Sequence, residues 1–328
     1  MTAPKEVRES LTPEDVLRRV RAGGLLPRDR PVVAMLSGGR DSVCLLDVAA
    51  RLCGTGGVQA LHVNYGLRPE ADEEEDHCRA LCERLGVALA VVRAEQPPPV
   101  GNLQAWAREL RYAAAGDLAR HHAAIATGHT ATDQVETILY RLAASPGRRA
   151  LLGMSPREGR LVRPLLELTR EQTAAYCRAR GLDWREDPSN DDRRYTRARV
   201  RNRLLSALDE VHPAARENVL RTARLLREEA AVLDDLIDAE LEGESSIAIG
   251  RLRELPPALA RLVVVRLAER VAGTYVPQAG ARVDEILALA DRGGRAELHV
   301  GGLVGAVIEG GRLHMVKLAP HGRSMPQP

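Results

Sequence analysis

The amino-acid sequence predicts an α/β protein: a mostly parallel sheet with helices on both faces, followed by a smaller, mainly helical domain. Three observations predict it. Short apolar runs recur at Val32–Leu36, Val58–Val63, Ala88–Val92 and Ala123–Thr127, and segments of helical periodicity separate them. Strands alternating with helices of this length build βαβ units and a mostly parallel, Rossmann-like sheet covered on both sides. From about His212 the period changes to long helical patterns, with Leu, Val and Ile three to four residues apart.

Each element follows from its own stretch. Val32–Leu36 reads as a strand that stops at Gly38–Gly39, and Ser42–Leu52 as the helix after it. Helices are predicted near Asp72–Leu85, Asn102–His121 and Thr132–Ala144, each after the next strand. "PPPVGN" (Pro97 to Asn102) is a loop, with Asn102 a candidate N-cap. A long helix is expected over Ala214–Leu241, and "ELPPALARLVVVRLAERV" reads as another with proline at its start. "RAELHVGGLVGAVIEGGRLHMV" reads as short strands joined by Gly-rich turns. The domain boundary is placed near Leu208–Pro213, which assigns 1–210 to the α/β domain, 211–320 to the helical domain and 321–328 to a disordered tail.

Composition narrows the class. A chain of 328 residues holds two domains, and its 45% apolar and 28% charged content is that of a globular protein. No apolar run reaches the roughly 18 residues needed to span a bilayer, and "MTAPKEVRES" lacks a signal-peptide pattern, so the expected location is cytoplasmic, with no membrane partner. The five cysteines are odd in number and form no C-x-x-C pair, which argues against a disulfide framework and a zinc ribbon. Cys78 and Cys82 fall one helical turn apart and read as small core residues. Only two basic residues are lysines, Lys5 and Lys317, and there is no Phe; both point to genomic or thermal bias. Charge is unevenly spread. From Arg141 to Arg203 sixteen arginines face eight acids, so this segment carries +8 in a chain whose net charge is +2. Such local basicity fits a polyanionic partner or a solvated face of mixed charge. The acidic run Glu70 to Asp76 reads as a solvated helix start.

The stretch "VVAMLSGGRDSVCLLDVAA" carries the chemistry. A strand that ends in Gly-Gly and runs directly into a helix aims backbone N–H groups and the helix dipole at one point on the sheet's carboxyl edge. Gly38 and Gly39 let the backbone approach a phosphate closely, and Ser37 and Ser42 add hydroxyls. The loop is neither a Walker A nor a G-x-G-x-x-G turn. Asp41 would repel a bare phosphate, and its place makes sense if Mg²⁺ bridges it to pyrophosphate.

"SGGRDS" resembles the PP-loop of N-type ATP pyrophosphatases, which split ATP between its α and β phosphates and adenylate a carbonyl oxygen. Four further stretches resemble tRNA(Ile)-lysidine synthetases: "LHVNYGLRPEADEEEDHCRALCERLGV", "AWARELRYAAAGDLA", "ATGHTATDQVETILYRL" and "LVRPLLELTREQTAAYCRARGLDWREDPSNDDRRYTRARVRNRLL". The resemblance covers roughly residues 30 to 210, and its D-x-S-N and arginine-repeat part is absent from other PP-loop enzymes. It implies a ligase that joins free L-lysine to carbon 2 of the wobble cytidine of a tRNA(Ile) with a CAU anticodon. The cytidine carbonyl attacks the α-phosphate of ATP, pyrophosphate leaves, and the lysine ε-amine then displaces AMP. In that frame 1–210 is the catalytic domain and 211–320 a tRNA-binding domain; self-association as a homodimer is left open.

The site residues are read against those needs. Ser37, Gly38, Gly39, Arg40, Asp41 and Ser42 are expected to hold the nucleotide, with Asp41 on magnesium. His62 and Asn64 end the second strand, where such a sheet holds its nucleotide, although a core histidine is the competing reading for His62. Arg108, Arg111 and Tyr112 share a helix face suited to phosphate or base contacts, or to solvent. His129, Asp133 and Glu136 cluster at the head of a helix. A free lysine amine has a pKa of about 10.4, so it arrives charged and must lose a proton before attacking. Asp133 and Glu136 are expected to recognise it and accept that proton, with structural capping as the competing reading. Arg197 and Arg201 share one helix face and Arg199 and Arg203 another, preceded by Arg193 and Arg194. The run can grip ATP or the lysine carboxylate on one side and tRNA phosphates on the other. Asp187, Ser189 and Asn190 are expected to form a turn and cap.

Three departures from the family pattern stand out: Thr132 where an Asp is usual, Ala198 in place of Asn, and a loose "LAASPGRRALLGM". Tyr65 also replaces a second His. Two rival functions remain. A PP-loop tRNA thiolase would need paired cysteines. A non-catalytic nucleotide- or tRNA-binding relative would have no use for the full acid and arginine set.

Overall fold

The structure is a computed structural model and describes residues 11–67, 69–95, 103–119, 123–144, 148–186 and 199–319. The chain divides into two compact units at Leu226 and Arg227.

The first unit alternates helix and strand: α1 (Pro13–Ala22), β1 (Val32–Met35), α2 (Arg40–Cys53), β2 (Val58–Asn64), α3 (Ala71–Leu85), β3 (Ala88–Arg93), α4 (Leu103–Ala119), β4 (Ala124–Ala126), α5 (Ala131–Ala144), α6 (Arg148–Leu151), β5 (Arg157–Glu158), β6 (Leu161–Val162) and α7 (Arg170–Ala179). The strands lie in the order β3-β2-β1-β4-β6-β5. β1 pairs in parallel with β2 on one side and β4 on the other, and only β5 runs antiparallel. The order reverses between β1 and β4, so their carboxyl ends leave a crevice where sheets of this kind bind ligands.

Period-two alternation builds the two faces. Val32, Ala34 and Leu36 join Val58 and Ala60 in a core completed by α1, α2, α3 and α7. Val33 and Met35 join Leu61, Val63 and Ile125 in a second core under Ala114, Ala115 and Ala119 of α4. Every residue of β1 is therefore buried, which is why the strand reads as a continuous apolar run. Among the described residues, α1, α7 and the β5–β6 pair were not placed by the sequence reading.

After α7 come a π-helical turn (Val200–Leu204), α8 (Leu205–Val211) and α9 (Ala215–Leu241), within which the division between units falls. The second unit holds β7 (Ser246–Ala248), α10 (Ile249–Glu254), α11 (Pro257–Ala272), α12 (Val283–Ala290), β8 (Ala296–Gly301), β9 (Val304–Glu309) and β10 (Arg312–Lys317). Its strands form an antiparallel sheet in the order β7-β10-β9-β8, packed on α11 and α12 around Val263, Leu267, Ile286 and Leu313. The unit is mainly helical, as expected, with a small antiparallel sheet, and the Gly-rich turns of the last segment join β8 to β9 and β9 to β10. None of the described helices is long and apolar enough to cross a membrane.

Candidate functional site

The crevice begins at the glycine turn. Gly38 has φ +77°, a left-handed conformation that favours glycine. A Cβ there would lie 3.4 Å from both Cys78 Sγ and His77 Cδ2. Gly39 is the N-cap of α2 and makes no side-chain cap hydrogen bond, so the first amides of this helix have no capping group. Ser37 is exposed beside them. An uncapped helix start behind a close-approach turn fits an anion such as a triphosphate. Ser42 is used within the loop: its hydroxyl donates to Gly39 O at 2.7 Å and accepts from Ser37 N at 3.1 Å.

The end of β2 braces this turn from below. His62 is buried, with Nδ1 3.0 Å from Leu36 O and 3.4 Å from Cys78 Sγ, while its Nε2 is buried without a partner. Asn64 lies at the end of β2, as expected. Its amide donates to Asp72 and Glu75, each at 3.0 Å, and its oxygen accepts from Gly66 N, which uses its polar atoms to tie β2 to α3. Glu75 is the exception in the solvated acidic run. Burial would raise its pKa, but hydrogen bonds from Arg93, Asn64 and Arg79 outweigh that and hold it at about 2. Tyr65 donates its hydroxyl to Ala107 O at 3.1 Å and packs tilted against the Trp106 ring, with centroids 5.8 Å apart, so the residue that replaces a histidine pins the end of β2 to α4.

The acids meet at the carboxyl ends of β1 and β4. Gly128 permits this, since a Cβ there would lie 2.9 Å from the Asp41 carbonyl carbon and oxygen. Thr130 caps α5 in a capping box with Asp133, whose Oδ2 accepts from Thr130 N and Oγ1 at 2.9 and 2.8 Å. The competing reading of Asp133 as a cap therefore describes one of its oxygens. The other accepts from Arg170 Nη2 at 2.8 Å. Burial raises the Asp133 pKa, but the Arg170 guanidinium and the Thr130 bonds outweigh it and hold the carboxyl below its ordinary value. Glu136 is 2% exposed, and both its oxygens accept from Arg201, at 2.6 and 3.1 Å. Asp41 Oδ1 accepts from Thr173 Oγ1 at 2.5 Å and from Arg40 Nε at 3.1 Å.

Arg170, which sequence reasoning missed, sits among all three. Its guanidinium lies 2.8 Å from Asp133, 3.6 Å from Asp41 and 3.8 Å from Glu136. Its position is built in stages. Thr169 and Gln172 form a capping box that starts α7 at Arg170. Thr132, the residue in place of an Asp, accepts from Arg170 N at 3.3 Å. Buried Asp47 then clamps α7 to α2 through Tyr176 Oη at 2.5 Å and Arg180 Nε at 3.2 Å. The T-R-E-Q capping box was the one readable signal; nothing local shows which acids the arginine meets.

The remaining candidates are dispersed. His129 Nδ1 is 2.8 Å from Thr127 Oγ1, and its charge helps to hold Asp133 ionised. Arg108 and Arg111 both lie over the Tyr112 ring, with Cζ 4.6 and 5.9 Å from its centroid, on the helix that covers the other sheet face. Arg199 and Arg203 line a shallow groove with Val200, Leu204 and Ala207, while Arg201 turns inward to Glu136. Arg194, Arg197, Asp187, Ser189, Asn190, Ala198, Asn102 and the tail 321–328 lie outside the described residues. Gln134 clamps the loose segment, accepting from Met154 N at 2.7 Å and donating to Met154 O at 2.9 Å.

Among the described residues, no group of three or more His, Cys, Asp or Glu could hold a metal. Magnesium needs less, because it takes one or two carboxylates plus substrate phosphates and water. Asp41 Oδ2, which faces Arg170 at 3.6 Å and takes no hydrogen bond among the described residues, fits that donor role. The cysteines do not fit sulfur chemistry. Burial pushes the Cys78 thiol up to about 12 and the Cys82 thiol to about 11, far from a thiolate at neutral pH.

A PP-loop domain model matches residues 15–208. A tRNA(Ile)-lysidine synthase of Thermus thermophilus is 40% identical over 260 residues, covering 77% of this chain and 50% of that protein. One from Salinispora tropica is 39% identical over 250 residues, covering 71% of this chain and 74% of that protein. One from Pseudomonas fluorescens is 40% identical over 212 residues, covering 62% of this chain and 48% of its own. The chain thus spans about half the length of the Thermus and Pseudomonas relatives it matches. Among solved structures, the U34-tRNA thiolase NcsA of Methanococcus maripaludis, with its 4Fe–4S cluster, matches at TM-score 0.55 and 18% identity. That match covers 65% of this chain and 78% of the other, a likeness of fold alone.

Proposed function

The chain belongs to the PP-loop family and, within it, to the tRNA(Ile)-lysidine synthases, and from this premise we propose that it ligates lysine to the wobble cytidine of a tRNA(Ile) with a CAU anticodon. The observation that carries the reading is one juxtaposition. Asp41, in the first turn of the uncapped helix behind the glycine turn, and the pair Asp133 and Glu136 lie within 4 Å of the same guanidinium. A triphosphate held at the start of α2 and an ammonium held by the acids of α5 would therefore meet.

In this reading residues 1–210 carry the chemistry and 211–320 grip the tRNA. Ser37, Gly38, Gly39 and Arg40 hold the phosphates, and Asp41 holds magnesium. When bound, magnesium neutralises charge on the departing pyrophosphate. The cytidine oxygen attacks the α-phosphate, with the α2 amides stabilising charge as it builds on the phosphate oxygens. Asp133 and Glu136 then receive the lysine ammonium. Asp133, held below its ordinary pKa, stays ionised at neutral pH and recognises charge better than it takes up a proton. Arg108, Arg111, Tyr112, Arg194, Arg197 and Arg199 are assigned to nucleotide and tRNA contacts.

The test is direct. AMP should appear only when ATP, magnesium, lysine and the CAU-anticodon tRNA are all present, with labelled lysine retained in the tRNA. Asp41→Asn should abolish AMP release. Sulfur entering the tRNA while lysine does not would replace this reading with a thiolase.

A further inference from the structure

We propose that Arg170 is a positioning residue that couples the two ends of the site, so that nucleotide and lysine bind with positive cooperativity. The inference rests on the ligase reading above and adds an energetic coupling between its two ligands that the fold alone does not dictate.

The argument is one of charge and geometry. Among the described residues, three carboxylates meet three guanidiniums in this cluster: Asp41, Asp133 and Glu136 against Arg40, Arg170 and Arg201. Arg40 is committed to its neighbour Asp41, and Arg201 forms a two-bond fork with Glu136. Arg170 differs, because it is shared. Among the described residues its guanidinium makes one hydrogen bond, to Asp133, while Asp41 and Glu136 stand 3.6 and 3.8 Å from other nitrogens of the same group. Its Nε is buried and makes no hydrogen bond although Asp41 Oδ2 faces it. The guanidinium is thus held between two sites and saturated by neither.

A lysine ammonium entering at Asp133 and Glu136 competes with Arg170 for the same oxygens. Two cations cannot share them closely, so the guanidinium must turn toward Asp41 and the start of α2. Without a nucleotide, that end already has Arg40 against its carboxylate, and a second guanidinium there lacks a matching anion. With a triphosphate at the α2 amides, the same movement brings Arg170 to a phosphate, its preferred bidentate partner. Whichever ligand arrives first does the work of moving Arg170, and the second finds it moved. By linkage, each ligand then raises the affinity of the other by the same factor.

The experiment measures lysine affinity by calorimetry on the full chain, with and without saturating magnesium and an ATP analogue whose α–β bridge is carbon. In the unaltered protein lysine should bind about tenfold tighter, or more, with the analogue present. Arg170→Met should bring that ratio to about two or less while lysine still binds; Arg170→Lys, a point charge with no fork, should retain an intermediate ratio. A role limited to stability would weaken both affinities and leave the ratio unchanged, which would overturn the proposal. If Arg170→Met does not fold by circular dichroism, Arg170→Lys decides, and an unaltered ratio in it also overturns the proposal. Equal lysine affinity in both arms of the unaltered protein removes the coupling but leaves the ligase reading intact. No lysine binding in either arm removes both.

Discussion

Replacing Gly128 with alanine tests whether the site depends on how closely the loop after β4 lies on the start of α2. A Cβ at 128 would stand 2.9 Å from the Asp41 carbonyl carbon and oxygen and 3.1 Å from Ser42 N. All three are backbone atoms, so no change of rotamer relieves the clash. Restoring an ordinary contact of 3.4 Å means parting loop and helix by about half an ångström. Overpacking of this kind costs about 1–3 kcal/mol. The same loop carries Thr130, which orients Asp133, so the parting also stretches the bridge from Asp41 through Arg170 to Asp133, now 3.6 and 2.8 Å. A misplacement of about 1 Å can cost a hundredfold in rate, so half that distance should cost roughly tenfold in kcat/KM for lysine incorporation. The control is Gly116→Ala in α4, where a Cβ meets nothing within 4 Å and the helix should gain about 0.5–1 kcal/mol. Urea unfolding and steady-state incorporation read both. If Gly128→Ala matches the parent protein in unfolding midpoint and in kcat/KM, the close approach does not set the geometry.

Three further perturbations probe other joints. Among the described residues, Arg201→Met leaves the buried Glu136 with only the 3.8 Å contact to Arg170 and should cost about 3–5 kcal/mol; adding Glu136→Gln should recover most of it, and a double variant no more stable than the single would show that the pair is not the cause. Tyr176→Phe removes the 2.5 Å bond to Asp47 and should lower unfolding stability by about 1.5–3 kcal/mol, read by urea titration; no loss would mean that Arg180 alone satisfies Asp47. Glu75→Gln should differ from the parent most at neutral pH. The folded carboxyl titrates at about 2 against 4.5 when free, so its contribution is complete above 4.5 and disappears as pH falls toward 2. Unfolding free energies of both proteins across that range check the sign, and a gap that persists at pH 2 would contradict it.

The parallel sheet was legible because it obeys local rules. β1 to β4 are short apolar runs, and each helix between them shows its period, so the observed boundaries fall within a few residues of those expected. The glycine turn was legible because only a strand, two glycines and a helix in succession make such a corner. What escaped depends on distant partners. Arg170 meets acids 129, 37 and 34 positions earlier in the chain, and no periodicity in residues 161 to 180 encodes that. Glu75 was hidden within a run of acids that otherwise faces solvent, and burial of one member is a tertiary fact. Asn64 shows the converse. Its position at the end of β2 was legible, whereas the bonds its amide makes to Asp72 and Glu75 of α3 were not.

The acid–arginine cluster is an expensive way to gain stability, since buried ion pairs often contribute no more than apolar residues of the same volume. A chain selected for stability alone could fill the crevice between β1 and β4 with leucine. Instead, one carboxylate from α2, two from α5 and one guanidinium from α7 converge there, and each helix is separately fixed: α2 by Asp47, α5 by Thr130 and Gln134, α7 by its capping box. The supports are rigid while the shared guanidinium makes a single hydrogen bond. Rigid walls around one underbonded cation are what a site needs if an incoming charge is to displace an internal one without unfolding its surroundings. The same logic explains why arginine serves here. A planar fork can face three carboxylates from two helices at once, whereas an ammonium would settle on one of them and leave the others unbalanced.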